Sequence, residues 1–597
     1  MIKPSEHTFH IPVMGLGFTI DTPIKVAKYG ISSVVSIIQD DLVEQMREFY
    51  SNLYNEQYEQ ISKDDIDHRA KRISAYLNLL QRIVVEQIEK IKQEPFEEGN
   101  DVVKYFQLLP DSSTSKQLYL RMLTSNGEEK NFLMDELRKS IVAGDIDVNI
   151  MTKIDNSNTS KTGEPLPTEY NDAVAAFRGF ANSNLSSSIV FSAGLNPHLF
   201  SFIEHFSDFF PDKNGNIKKK IILKVSDYRS AIIQGKMLAK RGIWVSEFRI
   251  ESGLNCGGHA FPTKGFLLGP TLEEFKEKRN ELNTELLELC NKALIEKNLN
   301  PLSHLTSVKI TAQGGIGTHQ EDEFLREYYG LDTTGWGSPF LLVPEATAVD
   351  ADTLKKLTEA KKEDYYLSHA SPLGVPFNTF KNSSSEKQRI DRINHQRPGS
   401  PCYKKFLAFN TEFTDKQICV SSREYQHKKI NALKDEHLDP DVLAKRINEV
   451  IEKDCLCEGL SSSILLKNNL PIAHNLDAVV ICPGPNLAYF SSVYSLEEMI
   501  GHIYGRFDAL NTLPRPHMFI NELAMYIDYY KKELDGSDNV KDNYATAFKE
   551  NLFLGIEYYK QLISSIDTES LKRKNEMQNE LTFLENELIK YTSAAAL

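Results

Sequence analysis

Two glycine-rich turns near the middle of the chain constrain its fold more than any other feature. The apolar run 308–312 is followed by Gly314 and Gly315, and a second short apolar run is followed by Gly337 and Ser338. Glycine turns after two successive strands let backbone N–H groups approach an anion, as they do at the C-terminal rim of a (β/α)8 barrel. The turns therefore predict two neighbouring parallel strands whose carboxyl ends together hold a phosphate group.

The alternation of apolar runs and helical patterns continues on both sides of these turns. Other short apolar runs predict strands at 11–17, 32–38, 188–193, 220–225 and 243–251. With the two runs before the glycine turns they make about seven or eight strands separated by helices, which favours a closed barrel over an open sheet. The predicted fold class is α/β: a TIM (β/α)8 barrel with a helical insertion and a C-terminal, cysteine-containing, mostly helical extension.

Changes in composition divide the chain into regions. We expect the barrel to begin in residues 1–40 and to resume in residues 166–350. Between them, residues 41–165 are rich in Glu, Gln, Leu and Ile at helical spacing, which predicts a mainly helical insertion. Residues 351–490 are interpreted as a loop-rich region that contains cysteines, and residues 491–597 as a helical C-terminal region.

Length and charge limit the classes of function. With 597 residues the chain needs more than one structural unit. A formal net charge of −14 argues against nucleic-acid binding, which requires a basic surface. The N-terminus lacks the apolar segment of a secretory signal, and no apolar stretch reaches the ~18 residues that cross a bilayer, so we expect a cytoplasmic protein with no membrane partner. The sequence leaves undecided whether the protein forms a homo-oligomer through its helical regions.

A further glycine-rich motif follows the predicted strand 243–251. It reads Glu-Ser-Gly-Leu-Asn-Cys-Gly-Gly-His and ends at His259. On a barrel this motif lies at the C-terminal rim, where glycines let a flat ligand approach the backbone and a histidine can exchange a proton near neutral pH. The later segment 368–377 is interpreted as a Pro/Gly-rich connector, with a lid over the site as the alternative.

The order of these motifs resembles that of a known family. Pro-Val-Met-Gly near the N-terminus, Gly-Gly-His in mid-barrel, Gly-Gly-Ile after one strand and Gly-Ser-x-Phe-Leu after the next are similar to the nitronate monooxygenase (2-nitropropane dioxygenase-like) family of TIM-barrel flavoproteins. The same family includes FMN-dependent enoyl-acyl-carrier-protein reductases. The resemblance covers residues 10–40 and about 185–347, and the chain departs from the family pattern at Ser252, Asn255 and Cys256.

The resemblance implies an FMN site and assigns residues to it. His259 would be the catalytic acid/base or a substrate-orienting residue. Lys224 would stabilise the anionic reduced flavin near its N1 and C2 carbonyl. The residues expected to contact FMN, of which the last four hold its phosphate, are Met14, Gly15, Lys224, Gly257, Gly258, Gly314, Gly315, Gly337 and Ser338.

The cysteines suggest a second redox centre. Five of the seven fall between residues 402 and 482, and most stand beside glycine, proline or another cysteine, as iron–sulfur ligands do in loops. The predicted ligands of a [4Fe–4S] cluster or an all-cysteine zinc site are Cys402, Cys419, Cys455 and Cys457, with Cys482 as the substitute. Buried thiols that bind no metal are the alternative.

These features together predict an FMN-dependent oxidoreductase, resembling nitronate monooxygenases or enoyl reductases. A hydride would pass between flavin N5 and a small organic molecule or an acyl thioester, free or bound to an acyl carrier, and coupling to an iron–sulfur cluster stays open. No dinucleotide-binding Gly-x-Gly-x-x-G follows a predicted strand, so NAD(P)H would serve only as a transient electron donor. The alternative is a non-catalytic barrel that binds a phosphorylated ligand and acts as an assembly scaffold.

Overall fold

Eight parallel strands form a closed barrel in which each strand pairs with the next along the chain and the last pairs with the first. The structure is a computed structural model that describes residues 5–160, 162–192, 194–256, 259, 263–534 and 542–594. The strands are β1 (Phe9–Ile11), β2 (Ser32–Ser36), β3 (Ile146–Met151), β4 (Ser188–Ser192), β5 (Lys220–Val225), β6 (Val245–Glu251), β7 (Lys309–Gln313) and β8 (Thr333–Gly335). The predicted TIM barrel is confirmed.

Helices separate the strands and surround the barrel. Most barrel strands are followed by a helix that returns the chain to the next strand, as in other (β/α)8 barrels. The first twelve helices are α1 (Thr22–Val26), α2 (Asp40–Leu53), α3 (His68–Gln93), α4 (Asp101–Leu108), α5 (Thr114–Thr124), α6 (Gly127–Ser140), α7 (Asp172–Ala181), α8 (Pro197–Phe202), α9 (Tyr228–Ala239), α10 (Leu268–Glu296), α11 (His319–Tyr328) and α12 (Ala351–Thr358).

Strand β5 is mostly apolar because both of its faces are covered. Ile221 and Leu223 of β5 belong to the large core between barrel and helices. The alternate residue Ile222 instead joins Val34 and Val190 in a small separate cluster inside the barrel. The period-two alternation of a strand therefore fills two cores at once.

The helical insertion lies between β2 and β3 and consists of helices α2 to α6. It is tied to the barrel by a buried arginine, since Arg69 Nη1 in α3 donates at 2.9 Å to the carbonyl of Ile38, just beyond β2. Strand β3 itself falls inside the range 41–165, so the helical part of that range ends before Ile146. The strand reads Ile-Asp-Val-Asn-Ile-Met, and its register with β2 places Asp147 and Asn149 on the barrel interior. These two polar residues interrupt the apolar run by which a buried strand is predicted from sequence.

The C-terminal region begins with a two-stranded antiparallel hairpin and continues as helices. The hairpin strands are β9 (Tyr365–Ser368) and β10 (Phe377–Phe380). The helices are α13 (Ser384–Asn394), α14 (Arg423–Asp435), α15 (Pro440–Ile451), α16 (Leu456–Lys467), α17 (Leu496–Ile503), α18 (Met518–Tyr529), α19 (Asp542–Leu562) and α20 (Leu571–Ala594). Within the described ranges, no helix combines the length and the apolar character that crossing a bilayer requires.

Candidate functional site

A cleft opens at the C-terminal mouth of the barrel, where the carboxyl ends of the strands meet. Its polar lining includes Asn149, Lys224, Glu251 and His259, and Gly15 forms part of its wall. The other lining residues are Val13, Leu16, Ile38, Met151, Ser192, Asn255, Phe377 and Leu460. Its cavity volume is about 70 Å³, well below the ~300–1,000 Å³ of typical ligand sites, so a cofactor-sized ligand requires the cleft to widen.

Lys224 lies in the cleft, as predicted, and is paired with an acidic residue. Its Nζ is 2.7 Å from Glu251 Oε1. The same oxygen accepts hydrogen bonds from Asn255 Nδ2 at 2.5 Å and from Gln313 Nε2 at 2.7 Å. Sequence reasoning missed Glu251 as a site residue, although it is the last residue of an inward-facing Glu-x-Arg-x-Glu alternation on β6. The network fixes the ammonium group of Lys224 at the mouth.

His259 also lies in the cleft, beneath the β9–β10 hairpin. Its Nε2 is 2.7 Å from Ser371 Oγ, and its ring meets Phe377 edge-on at 5.5 Å between centroids. Burial, with a smaller contribution from the charge of Lys224, lowers the pKa of His259 to about 4. The ring is therefore neutral at pH 7, which suits orientation of a substrate better than proton donation. The sequence favours a connector over a lid for segment 368–377. In the structure Ser371 and Phe377 of this segment contact His259, so the segment covers the mouth as a lid would.

The first glycine turn has a backbone conformation that glycine adopts more easily than other residues, whereas Gly337 of the second turn has a negative φ of −101°. Gly314 and Gly315 have positive φ values of 107° and 81°, which favour glycine. Gly337 precedes a short 3₁₀ helix, Ser338–Leu342. Among the hydrogen bonds of the described residues, none uses the backbone N–H groups of Gly314, Gly315 or Gly337 as a donor. These N–H groups are the donors that a phosphate cradle needs.

The loop after β6 packs directly on these turns. A Cβ atom on Gly314 would lie 2.9 Å from the backbone nitrogen of Asn255, and one on Gly315 would lie 2.6 Å from Leu254 Cδ1. A Cβ on Gly337 would lie 3.0 Å from Cys256 Cβ. The donors of a phosphate site are thus present, but residues 254–256 fill the space above them. A phosphate can reach the turns only when this loop withdraws.

A buried ion pair supports the first glycine turn from the other side. Arg515 Nη1 and Nη2 lie 2.7 Å and 2.8 Å from the two carboxylate oxygens of Glu321, and Nη2 also donates to the Gly315 carbonyl at 2.7 Å. Glu321 accepts a further hydrogen bond from the Gly317 N–H at 2.9 Å. Burial alone would raise the pKa of Glu321, but Arg515 and the hydrogen bonds hold it below its ordinary value. Sequence reasoning did not find this pair.

Buried polar atoms at the mouth lack partners in the described part of the chain. They include Asn149 Oδ1, Ser36 Oγ, Gln313 Oε1 and both amide atoms of Gln39. These residues stand at or just beyond the carboxyl ends of β2, β3 and β7. Because buried polar groups are nearly always hydrogen-bonded, these atoms indicate a polar ligand at the mouth.

Two other predicted flavin contacts lie apart from the cleft. Met14 is fully buried in the core beneath the mouth. Ser338 Oγ accepts a hydrogen bond from the Gly484 N–H at 2.8 Å, so a segment of the C-terminal region adjoins the second turn. Gly257 and Gly258 lie outside the described residues.

Three of the four cysteines of the predicted metal site line two adjoining cavities of the C-terminal region, and Cys457 follows two residues after Cys455. No group of three or more His, Cys, Asp or Glu side chains in the described ranges is arranged to hold a metal ion. Cys402 and Cys419 line one of these cavities, and Cys402 and Cys455 line the other. The four cysteines therefore lie in one neighbourhood, and metal ligation by them stays a prediction.

Comparison with known proteins adds no family assignment. No family model and no curated protein matches this chain. Similar solved structures include FabK from Thermotoga maritima (14% identity, TM-score 0.30, 64% of this chain and 82% of that one) and the enoyl reductase domain of MlnA from Bacillus amyloliquefaciens (12%, 0.29, 75% and 88%). Another is the nitroalkane oxidase from Streptomyces ansochromogenes (8%, 0.33, 83% and 96%). At these scores the likeness adds nothing to the barrel topology itself.

Proposed function

We propose that this protein is an FMN-dependent oxidoreductase whose active site is the C-terminal mouth of the barrel. One observation carries the proposal: residues predicted from separate parts of the sequence, namely Gly15, Lys224 and His259, line a single cleft. Beside it lie two glycine turns whose N–H groups donate to no other group in the described part of the chain. This arrangement of a polar mouth beside a phosphate cradle is typical of barrel enzymes.

The chemistry of the donors fits FMN. The N–H groups of the glycine turns and the hydroxyl of Ser338 would hold the phosphate, once the loop 254–256 withdraws. Lys224 and the amide oxygen of Asn149, which has no hydrogen-bond partner among the described residues, would face the flavin ring from the cleft. FMN, when bound, supplies hydride transfer at its N5 atom.

The residues of this chain prepare the site for that chemistry. Glu251 holds the ammonium of Lys224 at the mouth, where a positive charge favours an electron-rich ring. His259, neutral at pH 7 and hydrogen-bonded to Ser371, would orient the substrate rather than donate a proton to it. The hairpin carrying Phe377 excludes water from above.

The apolar wall of the cleft favours one substrate class. Leu16, Met151, Leu460 and Phe377 line it together. A wall of this kind suits the hydrocarbon chain of an unsaturated acyl thioester better than a small nitronate, so we propose acyl thioesters as the substrates. The iron–sulfur coupling that the cysteines predicted is left out of this proposal, because no metal-binding group is formed among the described residues.

The visible spectrum of the purified full-length protein, before and after incubation with FMN, tests the proposal. We expect the absorption of bound oxidised flavin, and its bleaching by dithionite followed by reoxidation with an enoyl thioester. Ser338→Ala should weaken FMN binding on the order of tenfold through loss of one charge-assisted hydrogen bond. A folded protein that binds no FMN would contradict the proposal and favour the scaffold alternative.

A glycine pair provides a matched control for the cradle. Gly315→Asp places a carboxylate against the phosphate and should abolish FMN binding. Gly215 has a similar positive φ of 79° but no atom within 4 Å of an added Cβ, so Gly215→Asp imposes the same backbone strain away from the site. Stoichiometric FMN in the Gly315→Asp protein would show that the cradle is assigned to the wrong residues.

A further inference from the structure

A cavity of about 670 Å³ lies outside the barrel and is lined by the segments that join α13 to α14. Its volume falls within the ~300–1,000 Å³ of typical small-molecule sites. It shares no lining residue with the cleft at the barrel mouth. The flavin chemistry proposed for the mouth therefore leaves this cavity without a role.

Backbone contacts hold two arginine-bearing segments side by side at this cavity. The Ser400 N–H donates to the Ser421 carbonyl at 2.9 Å, and the Arg423 N–H donates to the Ser400 carbonyl at 2.8 Å. Gly399 packs so closely that an added Cβ would lie 2.7 Å from Arg423 Cα. The segment that carries Arg397 is therefore held against the first turn of α14, which carries Arg423.

The cavity presents positive charge that the described part of the chain does not neutralise. Arg397, Lys405 and Arg423 line it. None of these three side chains has an ion-pair partner among the described residues. In the same part of the chain, the buried Nε of Arg423 has no hydrogen-bond partner. The carboxylate of Glu424, which also lines the cavity, is 2.9 Å from Lys428 Nζ and pairs with it.

The start of α14 adds to this positive charge. The helix begins at Arg423, and its first residues, together with the N-cap residue Ser422, line the cavity. Since a helix N-terminus carries partial positive charge, an arginine in the first turn is unfavourable there. Burial and the charges of Arg397 and Arg392 also lower the pKa of Arg423. An anion in the cavity would relieve this repulsion and accept hydrogen bonds from the same groups.

The number and type of the cations favour phosphate over carboxylate. Guanidinium groups bind phosphate oxygens through pairs of hydrogen bonds, and an ammonium group adds a compact point charge. A phosphate monoester carries a charge of about −1.5 to −2 at pH 7 and three strong acceptor oxygens, whereas a carboxylate carries a single charge. Pro398, Pro401 and Ile418 supply an apolar part of the wall, where an organic group can lie.

We propose that this cavity binds a small organic phosphate, whose phosphate group pairs with Arg397, Lys405 and Arg423. The proposal goes beyond the function proposed for the barrel mouth and does not depend on it. Cys402 and Cys419 also line the cavity. The proposal requires neither their ionisation nor a metal ion.

Isothermal titration calorimetry of the full-length protein with phenyl phosphate tests the site. The wild type should bind it, and Arg423→Gln should weaken binding at least about tenfold, because hydrogen bonds between charged groups are lost. Arg446→Gln is the matched control: Arg446 is 46% exposed, pairs with Glu436 at the surface and does not line the cavity. It should bind like the wild type. Absence of binding to the wild type, or equal binding by Arg423→Gln, would overturn the proposal.

The ligand class is tested by titration of the wild type with benzoate, which replaces the phosphate of the same aryl group with a carboxylate. Benzoate should bind at least about tenfold more weakly than phenyl phosphate. Equal affinities would overturn the assignment of phosphate as the ligand group.

Acetylation of lysines in the wild type, followed by peptide mass spectrometry, locates the bound ligand without any substitution. Lys405 is exposed and lines the cavity, so saturating phenyl phosphate should make it lose reactivity. Lys572, whose side chain is 88% exposed, is the internal control and should react unchanged. An unprotected Lys405 would show that phenyl phosphate binds elsewhere and would overturn the site. A protein that binds no FMN would leave all of these outcomes unchanged.

Discussion

Replacing Arg515 with methionine should destabilise the protein strongly, because it leaves a buried carboxylate without its counter-charge. The side chains of Arg515 and Glu321 are 4% and 0% exposed. The substitution removes two hydrogen bonds to Glu321, one to the Gly315 carbonyl and one to Asn486 Oδ1. Breaking a buried pair in this way typically costs about 3–5 kcal/mol of the free energy of unfolding.

The assay is urea denaturation followed by near-ultraviolet circular dichroism at pH 7. Arg82→Met is the matched control, because Arg82 pairs with Glu56 at the surface and its side chain is 55% exposed. Exposed pairs contribute only about 0–1 kcal/mol. The double variant Glu321→Met, Arg515→Met should recover about 2 kcal/mol or more of the loss, because it removes the stranded charge.

The pH dependence adds a second criterion. In the wild type the pKa of Glu321 lies below its ordinary value of 4.5, so its stabilisation is present above that pH and is lost as the pH falls through the folded-state pKa. In Arg515→Met, burial of Glu321 without the guanidinium should raise this pKa. The loss in free energy of unfolding relative to the wild type should therefore be largest at neutral pH and should shrink below about pH 4.5. A deficit no larger than that of Arg82→Met, or one independent of pH, would refute this reasoning.

Two other predictions concern histidines. His259→Asn should keep bound flavin and slow turnover with an acyl thioester. The pH profile of kcat/KM between about pH 5.5 and 8 should stay unchanged, because His259 is already neutral in that range. Loss of an inflection in that range would show that His259 acts as an acid/base. His7 is buried, and burial lowers its pKa to about 4, so the folded state resists protonation and the wild type should lose about 3 kcal/mol of stability between pH 6.5 and 4 through this group. In urea denaturation across that range, His7→Gln should show a shallower decline, and an identical slope would contradict the assignment.

Local chemistry explains what could be predicted from the sequence. Strands β7 and β8 were found because a short apolar run before a glycine-rich turn is a strand signal that needs no distant partner. In the first turn the glycines are required by the positive φ of Gly314 and Gly315. Lys224 was found because it closes an apolar run whose end must lie at the mouth.

Long-range packing explains what could not be predicted. Arg515 and Glu321 are 194 positions apart, and each alone has the pattern of an ordinary surface charge. Strand β3 stayed inside the predicted insertion because the closed barrel supplies polar partners for Asp147, such as the N–H of Ser188 at 3.0 Å, that a sequence pattern does not reveal.

The relative affinity of the protein for FMN and riboflavin tests the central claim most directly, because the two ligands share the flavin ring and differ in the phosphate that the glycine turns would hold. Quenching of flavin fluorescence gives both dissociation constants. We predict that FMN binds at least about tenfold more tightly than riboflavin, since each charge-assisted hydrogen bond to phosphate contributes roughly 1.5–3 kcal/mol. Equal affinities, or binding of neither ligand, would contradict the assignment of a flavin phosphate site at the barrel mouth.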